Sequence, residues 1–332
     1  MNEEILKPYV RPVTDKDKDL PRFSYSKFEV LKNCPYQYNL KYNQKKYSDD
    51  TSLALELGSI CHYVLEQKGI ALTQGQQVNY DLLNQVLVNG HEEIDEEDKK
   101  TKEKLAGLKE LKRKYFETWY EKDSASGQTY EEKMSLFQKV LRSEMENDAW
   151  IPTYFEKPFE FVWDNKIIIH GFIDRIDVRE GEYKTVDYKT SKKVFDQSKL
   201  STSLQFGIYA LAILNDFGKL PIESEYRFIL IDDRQYALTK GWEKRLITAI
   251  NKLIQQVEDN TRSGQWKPTP TPLCYWCYAC AQNPDATKYK DECEYYSLWT
   301  PTNKTFEKKK EWDPSEEKNS TANMQVKRKL IF

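Results

Sequence analysis

Two strand-like runs joined by a tight polar loop restrict this chain more than any other stretch. Lys166 to Val178 and Tyr183 to Tyr188 are rich in β-branched and aromatic residues, and Arg179-Glu180-Gly181-Glu182 between them is a short Gly-containing loop. The pattern predicts a β-hairpin. Direct connection through the four loop residues sets Val178 against Tyr183, and counting back sets Asp177 against Lys184 and Asp174 against Asp187. Lys189 follows Asp187 two residues on, on the same face. Opposed like charges destabilise a sheet, so a hairpin built for structure alone avoids an Asp174/Asp187 pair. A divalent cation between the carboxylates removes the conflict. The Asp177/Lys184 pair, on the other face, needs no cation and reads as an ordinary cross-strand ion pair.

At 332 residues the chain can bury a substantial core, as one large domain or two small ones. Mean hydropathy is −0.80, and neither an apolar run of about eighteen residues nor a basic-then-apolar leader is present. A soluble cytoplasmic protein without a membrane partner is therefore expected. Net charge −2 with a pI near 6.1 excludes an all-over basic coat, so any nucleic-acid contact would use local patches.

Residues 1–20 are polar and charged and read as a flexible N-terminus. Residues 21–72 read as a helical region: apolar and aromatic residues recur at helical spacing from Ser24 to Tyr47, interrupted at Pro35. Leu53, Leu57, Ile60, Val64 and Leu65 then mark an amphipathic helix that carries His62. Residues 73–150, dominated by Glu, Lys and Leu with a break at Asp123 to Gln128, read as a helical subdomain. Residues 151–265 hold the hairpin, a helix from about Ser201 to Asn215, a strand at Tyr226 to Ile231 and an amphipathic helix at Trp242 to Glu258. Residues 266–299 are cysteine-rich, and 300–332 read as a disordered tail that ends in Lys327-Arg328-Lys329-Leu330-Ile331-Phe332. The sum is an α/β (α+β) fold.

Cys274, Cys277, Cys280 and Cys293 fall within twenty residues. In a reducing compartment disulfides are not expected, and Cys-x-x-Cys with two further cysteines points to a metal. Two assignments stay open: a local Cys₄ zinc site, or a [4Fe–4S] cluster that recruits a distant cysteine. Cys61 reads as a small buried apolar residue. Candidate DNA contacts are Lys41, Lys45, Lys46, Lys192 and Lys193 with aromatics such as Tyr36 and Tyr38, a solvated basic face being the plain alternative. Glu156 and Glu160, ahead of the hairpin, are either further site residues or surface charges.

Two carboxylates and a lysine on one sheet edge suit metal-assisted phosphodiester hydrolysis, with Mg²⁺ or Mn²⁺ on the carboxylates and lysine beside the attacking water. At these residues the chain resembles the PD-(D/E)xK nuclease superfamily, in its RecB-like and Cas4-like (AddB-type iron–sulfur) branch. Gly171-Phe172-Ile173-Asp174 matches the strand that ends in the first metal aspartate, and Val186-Asp187-Tyr188-Lys189-Thr190 matches the Asp-x-Lys strand. Gln205 and Tyr209 reproduce the Gln-x-x-x-Tyr helix, and Gly58-Ser59-Ile60-Cys61-His62 reproduces the Gly-x-x-x-His helix.

The resemblance covers about residues 23–297. It implies a restriction-endonuclease-like core, a mixed central sheet flanked by helices, with a helical insertion and a C-terminal cysteine clasp. It further implies a DNA exonuclease acting on single-stranded ends, in recombination, repair, phage DNA processing or CRISPR-associated processing. His62, Asp174 and Asp187 would hold Mg²⁺ or Mn²⁺, Lys189 would assist the water, and Gln205 and Tyr209 would contact DNA or brace the site. The [4Fe–4S] cluster would take Cys34, Cys274, Cys277 and Cys293, leaving Cys280 as the alternate. No phosphate-binding Gly-x-x-x-x-Gly-Lys-Ser/Thr loop is present. The chain would therefore be a stand-alone nuclease or a subunit with a helicase, recombination or CRISPR-adaptation partner, in a bacterial cell, with a phage or a CRISPR-associated operon as a fitting source. The alternative is a non-cleaving nucleic-acid-binding or scaffold module with a structural zinc or iron–sulfur site.

Overall fold

The computed structural model describes residues 3–47, 53–90, 129–146, 149–191, 193–281, 283, 286, 288–299, 306–308 and 310–315. The middle of the expected 73–150 subdomain, Lys192 and most of the expected 300–332 tail lie outside the described residues. The chain divides into two units, and neither is one continuous stretch: Met1–Val13, Thr51–Asn165 and His170–Leu246 form the first, Thr14–Asp50, Lys166–Ile169 and Ile247–Phe332 the second.

The strands are β1 (Val10–Arg11), β2 (Arg22–Phe23), β3 (Ile151–Trp163), β4 (Ile167–Arg179), β5 (Glu182–Lys189), β6 (Glu223–Phe228), β7 (Asp233–Tyr236), β8 (Ser297–Trp299) and β9 (Phe306–Lys308). The helices are α1 (Tyr25–Asn33), α2 (Pro35–Tyr38), α3 (Leu53–Thr73), α4 (Tyr80–Asn89), α5 (Tyr130–Ser143), α6 (Gln197–Ser201), α7 (Leu204–Phe217) and α8 (Trp242–Ser263).

In the first unit the strands run in the order β1-β3-β4-β5-β6-β7. The sheet is mixed, as expected: β4 and β5 are antiparallel, β5 and β6 parallel, β6 and β7 antiparallel. A parallel neighbour needs a crossover, and α6 and α7 supply it. The hairpin has the expected register, with Val178 against Tyr183 and Asp177 against Lys184. The ladder nevertheless ends at Arg175↔Val186, one pair short of the expected Asp174/Asp187 facing. The cause is local. Tyr188 donates its backbone N–H to Asp174 Oδ2 at 2.8 Å, so a side chain takes a donor that would otherwise be available to the ladder.

Alternation then sorts the two faces. Val186 and Tyr188 join a core with Ile60, Cys61, Val64 and Leu65 of α3, Leu83 and Leu87 of α4, and Phe137, Val140 and Leu141 of α5. Gly69 lets α3 approach β3 closely, since a Cβ there would lie 2.0 Å from the Phe155 ring. The side carrying Asp187 packs against α7, which is buried from Leu204 to Leu214. Ser203 caps that helix by accepting from Phe206 N, and Gly218 closes it at φ +73. The first twenty residues are not wholly a flexible lead-in: Leu6 is fully buried, β1 pairs with β3, and Tyr9 stacks on Trp163 at 5.1 Å. These apolar side chains bind an otherwise polar segment to the sheet.

In the second unit, Ser24 caps α1 and Cys34 ends it, with Pro35 opening α2, so the expected break falls at Cys34-Pro35. β2 pairs in parallel with Ile168 and Ile169 at the start of β4. Phe23 stacks on Phe28 at 4.9 Å and Tyr38 on Trp266 at 5.3 Å.

Candidate active site

All six residues singled out for chemistry, His62, Asp174, Asp187, Lys189, Gln205 and Tyr209, belong to the first unit. Asp187 and Lys189 stand two apart on β5 and form an ion pair. Gln205 opens α7 and Tyr209 follows one turn later. The Gln205 amide bridges the pair: Oε1 accepts from Lys189 Nζ at 3.2 Å and Nε2 donates to Asp187 Oδ1 at 2.5 Å. Tyr209 OH adds a second donor to Asp187 Oδ1 at 3.2 Å. Asp187 is 1% exposed, and the Lys189 ammonium is the group beside its Oδ2.

His62 Nε2 lies 3.0 Å from the Tyr188 carbonyl oxygen. A carbonyl can only accept, so Nε2 carries the proton and Nδ1 faces Asp174 Oδ2 at 3.4 Å and Glu156 Oε1 at 3.9 Å. A histidine whose one nitrogen donates to a backbone carbonyl presents the other as a metal ligand. His62, Glu156 and Asp174 offer three ligand atoms within 4.8 Å of one another. Glu156 reaches the cluster because β3 departs from a regular pleat there, at φ +41, a conformation that costs a residue with a Cβ about 1–3 kcal/mol. Glu160 is exposed on the same strand and is not in the group. Sequence periodicity gave no preference between the two glutamates; only the backbone conformation separates them.

Electrostatics record the crowding. Burial raises Asp174, as do Asp187 and Glu156, to about 7 against the pull of His62 and Lys189. Burial disfavours a charged His62, but Asp174, Glu156 and Asp187 outweigh it and lift the imidazole to about 9. Glu66, one turn after His62 on α3, is raised by burial and by Glu156. Sequence reading passed over Glu66, although its i, i+4 relation to His62 puts both on one helix face. A divalent ion fits this donor set: two carboxylates and an imidazole nitrogen meet with too little positive charge among them.

The second unit holds Cys34, Cys274, Cys277, Cys280 and Cys293, and all six cysteines of the chain are free thiols. Cys34 Sγ accepts from Thr269 N, Cys274 Sγ from Thr271 N, and Cys277 Sγ from Gln37 Nε2, each at 3.4 Å. Cys293 is pushed up to about 12 by burial, against a backbone N–H at Tyr295, and it feels Cys277, Cys34 and Cys274. Burial likewise pushes Cys277 up to about 12. Among the described residues, no three of these sulfurs lie within 4.8 Å of one another. A tetrahedral zinc with bonds of about 2.3 Å needs sulfurs about 3.8 Å apart.

Lys45 and Lys193 are exposed, Lys41 is half-buried with its ammonium 5.6 Å from the Tyr42 ring, and Lys46 pairs with Glu292 at 2.7 Å. Tyr38 is buried against Trp266, so its ring is not an open stacking platform as expected, whereas Tyr36 is half-buried with a T-shaped contact to Tyr295.

The sequence profile of the PD-(D/E)XK nuclease superfamily matches residues 22–281. The Gene 69 protein of Mycobacterium phage D29 is 30% identical over 129 residues, which are 37% of this chain and 45% of that protein. The Gene 69 protein of Mycobacterium phage L5 is 30% identical over 136 residues, 38% and 43% of the two chains. An ATP-dependent helicase/deoxyribonuclease subunit of Streptococcus uberis is 33% identical over 93 residues, 27% of this chain and 8% of that one. The chain spans less than half the length of each of these relatives.

Proposed function

The chain belongs to the PD-(D/E)XK nuclease superfamily, and on that premise we propose that it is a metal-dependent DNA exonuclease that acts on single-stranded ends. The observation that carries the reading is the convergence of Asp174, Glu156 and the Nδ1 side of His62 within 4.8 Å, beside the Asp187–Lys189 pair. Mg²⁺ or Mn²⁺ held by His62, Asp174 and Asp187, with Glu156 in reach, would polarise a phosphate and lower the pKa of a bound water. The chain's own groups do the rest. Lys189, tethered by Asp187 and Gln205, presents an ammonium where negative charge develops on phosphorus. Gln205 and Tyr209 hold one Asp187 oxygen and so fix the direction of the other.

We further propose that Cys34, Cys274, Cys277 and Cys293 hold a [4Fe–4S] cluster. Each of the four has an N–H directed at its sulfur, the contact that a cluster-bound sulfur would accept. Cys280 is the alternate. The relatives support a phage source and a helicase partner for this chain, since two are phage proteins and the third is named for helicase and deoxyribonuclease functions.

End-labelled single- and double-stranded DNA incubated with Mn²⁺ tests the activity. Degradation from single-stranded ends by the wild type, and none by Asp187→Ala, is expected. DNA binding without cleavage by the wild type would return the non-cleaving module instead.

A further inference from the structure

The sheet face opposite Asp187 buries an array of charges that the proposed chemistry does not use. Arg175 grips Asp177 with two bonds of 2.6 Å, and its Nη1 donates to Glu144 Oε1 at 2.7 Å and to Tyr188 OH at 3.0 Å. Arg227, paired in register with Tyr188 on the next strand, donates from Nε to the other Glu144 oxygen at 2.7 Å. Lys184 lies 3.3 Å from Asp177 and 3.5 Å from Glu225. Glu144, Arg175, Asp177, Lys184, Glu225 and Arg227 are each at most 3% exposed. The sequence reading of Asp177 and Lys184 as an ordinary pair therefore gives way to a fully buried network. Apolar residues of similar size generally stabilise a core at least as well as buried ion pairs do, so stability alone is a poor reason for this array.

Its geometry supplies another reason. Tyr188 is the residue between Asp187 and Lys189, and three separate groups meet on it: its N–H donates to Asp174 Oδ2, its carbonyl accepts from His62 Nε2 and its hydroxyl oxygen accepts from Arg175 Nη1. We propose that the Glu144–Arg175–Asp177–Arg227 network is a positioning device that pins the Tyr188 side chain, and through the Tyr188 peptide holds His62 and Asp174 in place. This rests on the metal-site reading for its purpose, though not for its test. Arg175, Glu144 and Tyr188 are positioning residues, since none of them is directed at the proposed metal site.

The test uses metal-free protein and ¹⁵N-labelled histidine, of which the chain has three. One histidine, His62, is expected to show a slowly exchanging Nε2–H. Tyr188→Phe, which removes one hydroxyl and keeps the ring, is expected to remain folded by its amide spectrum while that proton exchanges at least about tenfold faster. Leu87→Ala, a cavity on an element that supplies no network residue, is expected to lower the melting temperature and leave the proton protected. Mn²⁺ affinity of Tyr188→Phe is expected to fall about tenfold, the usual effect of losing an outer support of a metal ligand. A folded Tyr188→Phe whose His62 proton exchanges within about twofold of wild type overturns the proposal, as does a wild type without such a proton. Failure of the wild type to bind Mn²⁺ would overturn the metal reading alone, because the ring signal is read without metal.

Discussion

One imidazole ties the site together at the scale of single residues. His62 spends its Nε2 proton on the Tyr188 carbonyl and turns Nδ1 to Asp174 and Glu156, an arrangement that wants a cation among them. Without metal, the proton plays that part. Asp174 is raised from 3.8 to about 7 and His62 from 6.5 to about 9, so the folded state holds protons that the unfolded chain releases. The contribution of Asp174 is full below pH 3.8 and lost as pH rises through about 7; that of His62 is full below 6.5 and lost through about 9. Chelator-treated protein should therefore lose thermal stability as pH rises from 4 to 9. Mn²⁺ should raise the melting temperature more at pH 8 than at pH 5, because metal binds the deprotonated ligands; an equal rise at both would contradict the ligand assignment. Gln205→Ala should leave Asp187 Oδ1 with Tyr209 as its side-chain donor and free the Lys189 ammonium from its amide acceptor. A fall of about 10–100-fold in cleavage rate is expected in a single-turnover assay.

At the scale of elements, close approaches decide what the periodic patterns cannot. The helix carrying His62 was legible from its apolar spacing and the hairpin from its β-branched runs and loop. The seat of α3 against β3 was not, because it depends on Gly69 lacking a side chain where the Phe155 ring passes. Gly69→Ala forces that ring, and with it the neighbouring Glu156, to move. A loss of about 1–3 kcal/mol is expected in urea unfolding, and Mn²⁺ affinity should fall as well; a variant equally stable would show that the packing yields. At the start of α7, Ser203→Ala removes the cap on Phe206 N and should cost about 1 kcal/mol. The hairpin register was legible to Arg175 and failed beyond it. Strand alternation contains no information about a side chain that competes for a backbone donor, as Asp174 does for Tyr188 N–H.

For the whole molecule, neither unit is a continuous segment of chain, each being assembled from three separate stretches. Cys34 and the thiols from Cys274 onward meet in one unit despite some 240 intervening residues. Changing Cys34, Cys274, Cys277 or Cys293 to Ser should each abolish the absorbance near 400 nm of anaerobically purified protein, and Cys280→Ser should retain it; loss with Cys280 and retention with Cys293 would reverse the choice. By itself the sequence determined the types of the main elements and nominated His62, Asp174, Asp187, Lys189, Gln205 and Tyr209 as candidates for the site. Those depend on periods of two and of about 3.6 residues and on short motifs, all of which are local. Tertiary structure alone decided that Glu156 rather than Glu160 stands beside His62 and Asp174, that Tyr38 is core, and that Asp177 belongs to a buried network under Tyr188. Each of those depends on which distant backbone approaches, and a linear pattern does not encode distance across a sheet.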